Sequence, residues 1–175
     1  MSRKETTTKT KPKNEAENPS TDKTAVSAQA KSTPKKVTTT DKVIDTFTNI
    51  VLKGDGLKLS PKTKNRVFYE VAVNTEDKKL YLRLISNEGG GLHSKEWIKI
   101  EAVISILDKQ GDRSFKSTIF KTVFKGLSAN NAAFLAAALR AKDIELITPS
   151  ETSVFLHALP SDYEERKARL LALTP

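Results

Sequence analysis

The sequence predicts an α+β fold: a three-stranded antiparallel meander joined to a helix-turn-helix plus β-hairpin module, behind a disordered N-terminal tail. Three observations carry this expectation. Positions 67, 69, 71 and 73, and again 80, 82 and 84, alternate apolar with the two-residue period of a half-buried strand. Positions 115, 119, 120, 123 and 124 are apolar at helical spacing. Residues 1–40 contain no Phe, Trp, Tyr, Leu or Ile.

The tail follows from that last absence. A segment without large apolar side chains cannot offset an ordering entropy of roughly 1–2 kcal/mol per residue. It is rich in Thr, Ser, Lys, Pro and Ala, and Lys11-Pro12-Lys13 and Pro34-Lys35-Lys36 are its densest basic clusters. Both are too short to read as a nuclear-import signal. Nine of the chain's 30 basic residues and four of its 21 acids fall here, so residues 1–40 carry +5 of the net +9. Such a segment is drawn to any polyanion through counterion release, without reading sequence.

The elements follow in order. Residues 41–99 read as a helix and strands. Thr40 or Asp41 can cap a helix to about residue 53 with Val43, Phe47, Ile50 and Val51 on one face, stopped by Gly54-Asp55-Gly56. A strand over 65–74, a polar turn at Thr75-Glu76-Asp77-Lys78 and a strand over 79–86 come next. Asn87-Glu88-Gly89-Gly90-Gly91 reads as a flexible tip, and a third strand near 95–99 carries Trp97. Ile100, Val103, Ile104 and Leu107 share one helical face.

Helix 114–125 then ends at Gly126, and Ser128 caps a second helix over 129–142. Strands 143–147 and 153–159 flank a turn at Thr148-Pro149-Ser150-Glu151-Thr152. Residues 160–175 form a terminal amphipathic helix, opened by a Ser161/Glu164 capping box. The order of elements over 100–159 resembles that of winged-helix modules, and the resemblance implies a scaffold that holds nucleic acid. It rests on element order alone and transfers no site residues.

Composition excludes several chemistries. The chain has no cysteine, so disulfides, thiolate nucleophiles and Cys-based zinc sites are absent. Its two histidines, His93 and His157, have no acidic cluster beside them and make no metal site. His157 reads as a structural strand residue and His93 as an exposed one. The triple glycine lacks both the Gly-x-x-x-x-Gly-Lys and the Gly-x-Gly-x-x-Gly spacing of phosphate cradles. The expectation is therefore a non-enzymatic protein without cofactor. No apolar run approaches the roughly 20 residues of a membrane span. The N-terminus lacks an apolar signal core, and Glu5, Glu15, Glu17 and Asp22 argue against a transit peptide. The expected location is cytoplasmic, nucleoid-associated in a bacterium and nuclear in a eukaryote.

The functional expectation is an accessory protein that binds nucleic acid, DNA in preference to RNA, chiefly through the phosphate backbone. Arg113, Lys116, Lys121 and Lys125 would meet phosphates. Asn130 and Asn131 would open the second helix toward base edges, with Arg140 and Lys142 at its far end. A second basic surface is offered by Lys62, Lys64, Arg66, Lys78, Lys79 and Arg83 with Phe68 and Tyr81, which otherwise cover the sheet against helix 41–53. The rival expectation is a protein-interaction adaptor or homodimer that docks through the same scaffold or the terminal helix.

Overall fold

The structure is a computed structural model and describes residues 45–174. The tail expected over 1–40 and the start of the helix expected from residue 41 lie outside the described residues. The chain lays down β1 (Asn49–Leu57), β2 (Arg66–Val73), β3 (Leu80–Asn87), β4 (Ile98–Lys99), α1 (Ile100–Leu107) and β5 (Phe115–Lys116). A 3-10 helix (Ser117–Val123), α2 (Asn131–Leu139), β6 (Thr148–Ser150), β7 (Ser153–Ala158) and α3 (Tyr163–Leu171) complete it.

The alternating residues behave as their period requires. Val67, Tyr69 and Val71 on β2, and Leu80, Leu82 and Leu84 on β3, all face the core. The turn between these strands is built by Asn74, whose side-chain oxygen accepts from the amides of Glu76 and Asp77. β4 completes the expected meander, but as two residues only. Glu96 just before it is drawn away, accepting from the backbone amides of Lys125 and Gly126 at 3.0 Å each.

The sheet has a fourth strand where a helix was expected. Residues 49–57 pair antiparallel with β2 along its whole length, giving the order β1-β2-β3-β4. Branched Ile50 and Val51 favour extended chain, and a register shift between Ile50 and Leu52 accommodates Val51. Gly54 and Gly56 do not end the element. A Cβ on Gly56 would stand 2.2 Å from the Ala137 carbonyl oxygen, and one on Gly54 2.5 Å from the Tyr69 hydroxyl. The glycines are there because α2 and Tyr69 press against β1 too closely for any side chain.

Residues 114–125 depart from expectation as well. Phe115 and Lys116 pair with His157 and Leu156 of β7, and the rest winds as a 3-10 helix. Thr118, Ile119, Thr122 and Val123 are β-branched and weak α-helix formers, and neither end receives a side-chain cap. The apolar stripe is nonetheless used, with Phe115 and Phe120 buried and Ile119, Val123 and Phe124 packed against the core.

The hairpin is shifted along the chain. Residues 143–147 are not a strand, because Ile144, Leu146 and Ile147 are all buried and the amides of Ile144 and Glu145 return to the Ala141 carbonyl. Thr148-Pro149-Ser150, expected as turn, forms β6, and Glu151-Thr152 is the turn to β7. The second sheet runs β5-β7-β6. At α3 the capping box does not form; the cap residue is Asp162, whose carboxylate takes the Arg166 guanidinium at 2.7 Å.

α2 packs on β1, β2 and the 3-10 helix. Eight of its nine residues are buried, and buried residues from both sheets and all helices form one apolar cluster around it. Gly56→Ala should therefore cost about 3 kcal/mol through overpacking. A urea melt within 0.5 kcal/mol of the parent, about the spread of a neutral surface change, would show that β1 and α2 are not in register as described.

Candidate nucleic-acid interface

α2 holds the second-helix position that would enter a groove, but it presents no face to one. Asn131 is 2% exposed. Its side chain accepts from the Ser94 amide at 2.8 Å and donates to the Gly126 carbonyl at 3.0 Å. Asn130 donates to the Leu92 carbonyl at 3.0 Å, as does the Ser128 hydroxyl at 2.5 Å. The two asparagines anchor the 87–97 loop on the entry to α2. Both atoms of the buried Asn131 amide are thus bonded within the fold, and Asn130 uses its amide nitrogen there.

Arg140 is likewise committed inside the fold. It donates to His157 Nδ1 at 3.0 Å, to the Val154 carbonyl at 3.0 Å and to the Leu156 carbonyl at 2.7 Å. This guanidinium fastens the C-terminus of α2 to β7 by satisfying the Val154 and Leu156 carbonyls. Half-burial lowers the Arg140 pKa from its ordinary value. His157 is fully buried, stacked on Phe115 with ring centroids 5.6 Å apart. Burial first, and the Arg140 charge second, push its pKa down to about 4.

The remaining expected residues are exposed. Arg113 donates to the Lys109 and Gln110 carbonyls at 3.2 and 3.3 Å, closing the end of α1. Lys121 borders a cleft of about 270 Å³ with Phe124, Leu127 and Asn131. Lys125 sits beside it, its amide held by Glu96. Hydrogen bonds from Ser94 and these amides outweigh desolvation and lower the Glu96 pKa.

Lys116 and Lys142 fall elsewhere, in two neighbouring clefts. The first, about 470 Å³, is lined by Asp55, Lys58, Leu59, Arg66, Arg140, Lys142 and Pro149 among others. The second, about 540 Å³, is lined by Leu59, Ser60, Lys116, Ala133, Phe155 and Leu156 among others. Leu59 belongs to both, so the clefts adjoin across the β1–β2 loop. That loop also carries exposed Lys62 and Lys64. The Lys58 ammonium donates to Asn87 Oδ1 at 2.7 Å and to the carbonyls of Glu88 and Gly90, and lies 4.7 Å over the Phe134 ring. The glycine loop is thus pinned down rather than standing free as a tip.

The second expected surface does not hold together. β2 is eight residues long, roughly 26 Å at strand rise, so Lys62 and Lys64 lie at one end of the sheet and Lys78 and Lys79 at the other. Lys79 pairs with Glu101 at 2.6 Å, and Arg83 with Glu70. The face bearing Tyr81 and Arg83 is covered by Phe47 and Trp97, stacked 4.4 Å apart, with Tyr81 edge-on to Phe47 and Arg83 over Trp97. Phe47 comes from the segment expected as helix 41–53, which supplies this cover without being helical over its described residues. His93, expected exposed, is half-buried against Phe134 at 5.9 Å.

Sequence reading passed over Lys58, Leu59 and Phe155. The polar turn Ser60-Pro61-Lys62-Thr63-Lys64 marked the loop, but only folding brings it against the second sheet. Among the described residues no three His, Asp or Glu side chains could hold a metal ion, and no helix is long and apolar enough to cross a membrane. Comparison with protein-family models, curated proteins and solved structures found no match.

The buried His157 makes a pH dependence. Its folded pKa near 4 lies below the ordinary 6.5, so the unfolded chain takes up the proton first and stability falls as pH drops from 6.5 toward 4. The loss should total about 3 kcal/mol for a fully buried group. In His157→Asn, whose amide oxygen can still accept from Arg140, this part of the acid slope should vanish. Parallel slopes in urea melts of parent and variant between pH 4 and 6.5 would refute the assignment.

Proposed function

We propose that this chain is a non-catalytic nucleic-acid-binding protein that holds its ligand through the phosphate backbone along the paired clefts. One observation carries the reading: the paired clefts are lined by lysines that have no acidic ion-pair partner among the described residues. Among the described residues, ion pairs gather on the outer face of the four-stranded sheet and around α3, as in Lys99–Asp77, Lys79–Glu101, Arg166–Glu145 and Lys167–Asp108. Lys58, Lys116 and Lys142 have no acidic partner among those pairs and line the clefts, with Asp143 beside Lys142 in the first; Lys62 and Lys64, also absent from those pairs, stand on the loop that carries Leu59. Cations collected along a concave path raise the local potential and attract a polyanion. Arg66, also at the first cleft, is bonded to Asp55, which holds its pKa above the ordinary value.

The scaffold is read as winged-helix-like. The succession α1, β5, 3-10 helix, α2, β6, β7 and the sheet order β5-β7-β6 support this, with the 3-10 helix in the place of a second helix. In this reading α2 is the pillar of the domain, and contact is made by the cleft beside it. The Lys-rich segment 1–40 adds sequence-independent attraction by its charge, in an accessory role beside other nucleic-acid machinery, with DNA favoured over RNA.

A second reading, a protein-interaction adaptor, draws on Leu92 and Leu127, 86% and 99% exposed on loops joined by the Ser128–Leu92 bond. The two readings make different demands. In the first, Lys116→Ala combined with Lys142→Ala should weaken binding to every nucleic acid and reduce the slope of log K against log salt by about 1.5. Lys121→Ala with Lys125→Ala should change it little. Unaltered affinity and slope in the Lys116/Lys142 pair, measured by fluorescence anisotropy at several salt concentrations, would remove the cleft as the site.

A further inference from the structure

Resting on the nucleic-acid reading above, we infer that the occupant of the clefts is single-stranded DNA, with a base lodged in the apolar cleft against the Phe155 ring.

The shape and lining of the site point away from a duplex. Duplex readers push a convex element, a helix or a ribbon, into a groove. α2 is buried, and the β6–β7 hairpin cannot serve in its place. From Thr148 to Ala158 there is no Lys or Arg, and the hairpin turn carries exposed Glu151. A tip with an acid and no cation is repelled by two phosphate backbones. The basic residues lie instead on the walls of a concave path, where one flexible strand can follow and a rigid duplex cannot.

The lining of the second cleft supplies what an unpaired base requires. Leu59, Ala133, Leu156 and Phe155 give it an apolar wall, and Lys116 stands at its edge. Phe155 is 57% exposed and its neighbour Val154 49%, so the ring lies open beside the cleft. Two residues along β7, His157 is fully buried, which anchors the strand that carries Phe155. A large ring open to water next to unpaired ammonium groups is the pairing that a single strand uses: the base stacks on the ring while the cation meets its phosphate. A duplex keeps its base faces stacked and offers the ring nothing.

The same lining selects the sugar and the base. The cleft also holds Ser60, Ser117, Thr118 and Ser153, so the selection lies in its apolar part: a ribose 2′-hydroxyl pressed against Leu59, Ala133 or Leu156 would lose its water without gaining a partner there. The C5-methyl of thymine gains apolar contact on such a wall. Deoxythymidine is therefore the nucleotide best suited to the cleft.

The test uses the full chain with fluorescein-labelled oligothymidine, a mixed-sequence duplex of equal length, and oligouridine. Oligothymidine should bind tightest. Phe155→Ala should weaken it about tenfold, a value within the range for one base–aromatic stack, and leave the duplex unchanged. Phe155→Trp, which keeps a ring, should restore the affinity. Because Phe155 is exposed, both variants should melt like the parent, and circular dichroism checks this. Duplex bound as tightly as oligothymidine, or an affinity indifferent to Phe155→Ala, would overturn the inference while leaving the cleft lysines as a backbone site. Oligouridine bound as tightly as oligothymidine would overturn the choice of DNA. If no probe binds, the nucleic-acid reading itself fails.

Discussion

The approach of α2 to β1 at Gly56, where a Cβ would meet the Ala137 backbone, is the constraint from which the rest follows. α2 is made almost entirely of small and medium apolar residues, with four of its nine positions between 132 and 138 held by buried alanines. Alanine shortens the distance at which a helix can lie on a sheet, and glycine on the facing strand shortens it further. A helix held that close to the edge strand sits under the sheet, not on the surface. The 3-10 helix, the 140–147 turn and β7 then pack around its remaining sides. Arg140 at its end and Asn131 at its start use their polar groups to fasten these elements. Both were candidates for contact with a ligand; Asn131 is buried, and Arg140 lines the first cleft while its guanidinium bonds to β7.

The depth at which α2 lies explains which parts of the fold were legible in the sequence. β3 and α1 each bury one face only, and β2 keeps large apolar residues on one face although Glu70 and Ala72 on the other are buried too. Their apolar periods of two and of about 3.6 are therefore clean, and their positions agree with expectation to within a few residues. β1 and the 114–125 segment mislead for different reasons. The Gly54-Asp55-Gly56 triplet has the composition of a turn, but its glycines answer a tertiary demand that no local window contains. In the 114–125 segment the apolar spacing was read correctly as a buried stripe. A 3-10 winding and an α-helix place such residues on similar sides, and the branched residues with an absent cap decide between them. The hairpin was displaced because the apolar run 144–147, with its β-branched residues, looks like a strand, while its backbone is turned back onto Ala141.

The site was legible only as charge. Lys116 and Lys142 were singled out and do border the clefts, yet so were Asn130, Asn131 and Arg140, which serve the fold. The difference lies in what each can reach. A lysine on a strand or turn that finds no acid stays in water, and its ammonium remains available. An asparagine or arginine next to open carbonyls and amides at a helix end satisfies them first, because leaving such groups buried and unpaired costs about 1–3 kcal/mol each. Helix-end polar residues are therefore poorer indicators of a binding surface than their donor chemistry suggests. Lys58 is intermediate: its ammonium holds three oxygens of the 87–90 loop, and no acid neutralises it.

The distribution of charge sharpens the same point. Net charge alone assigns more than half of the positive excess to residues 1–40 and leaves the folded part modestly basic. A modest total can be spread evenly or divided, and here it is divided. The outer face of the first sheet and the α3 region pair their charges, which holds strands and helices together locally and cancels the field beyond a Debye length of about 10 Å. The lysines of the β1–β2 loop and of β5 have no acidic ion-pair partner, while Lys142 after α2 has Asp143 beside it; these segments adjoin around Leu59. Three segments, β5, the loop some 50 residues before it and the turn 26 residues after it, thus contribute to one path, and the apolar floor between them comes from the core elements they flank. A surface so assembled depends on the fold for its existence: shift α2 outward by the thickness of a methyl group at Gly56, and the loop, the strand and the turn no longer meet.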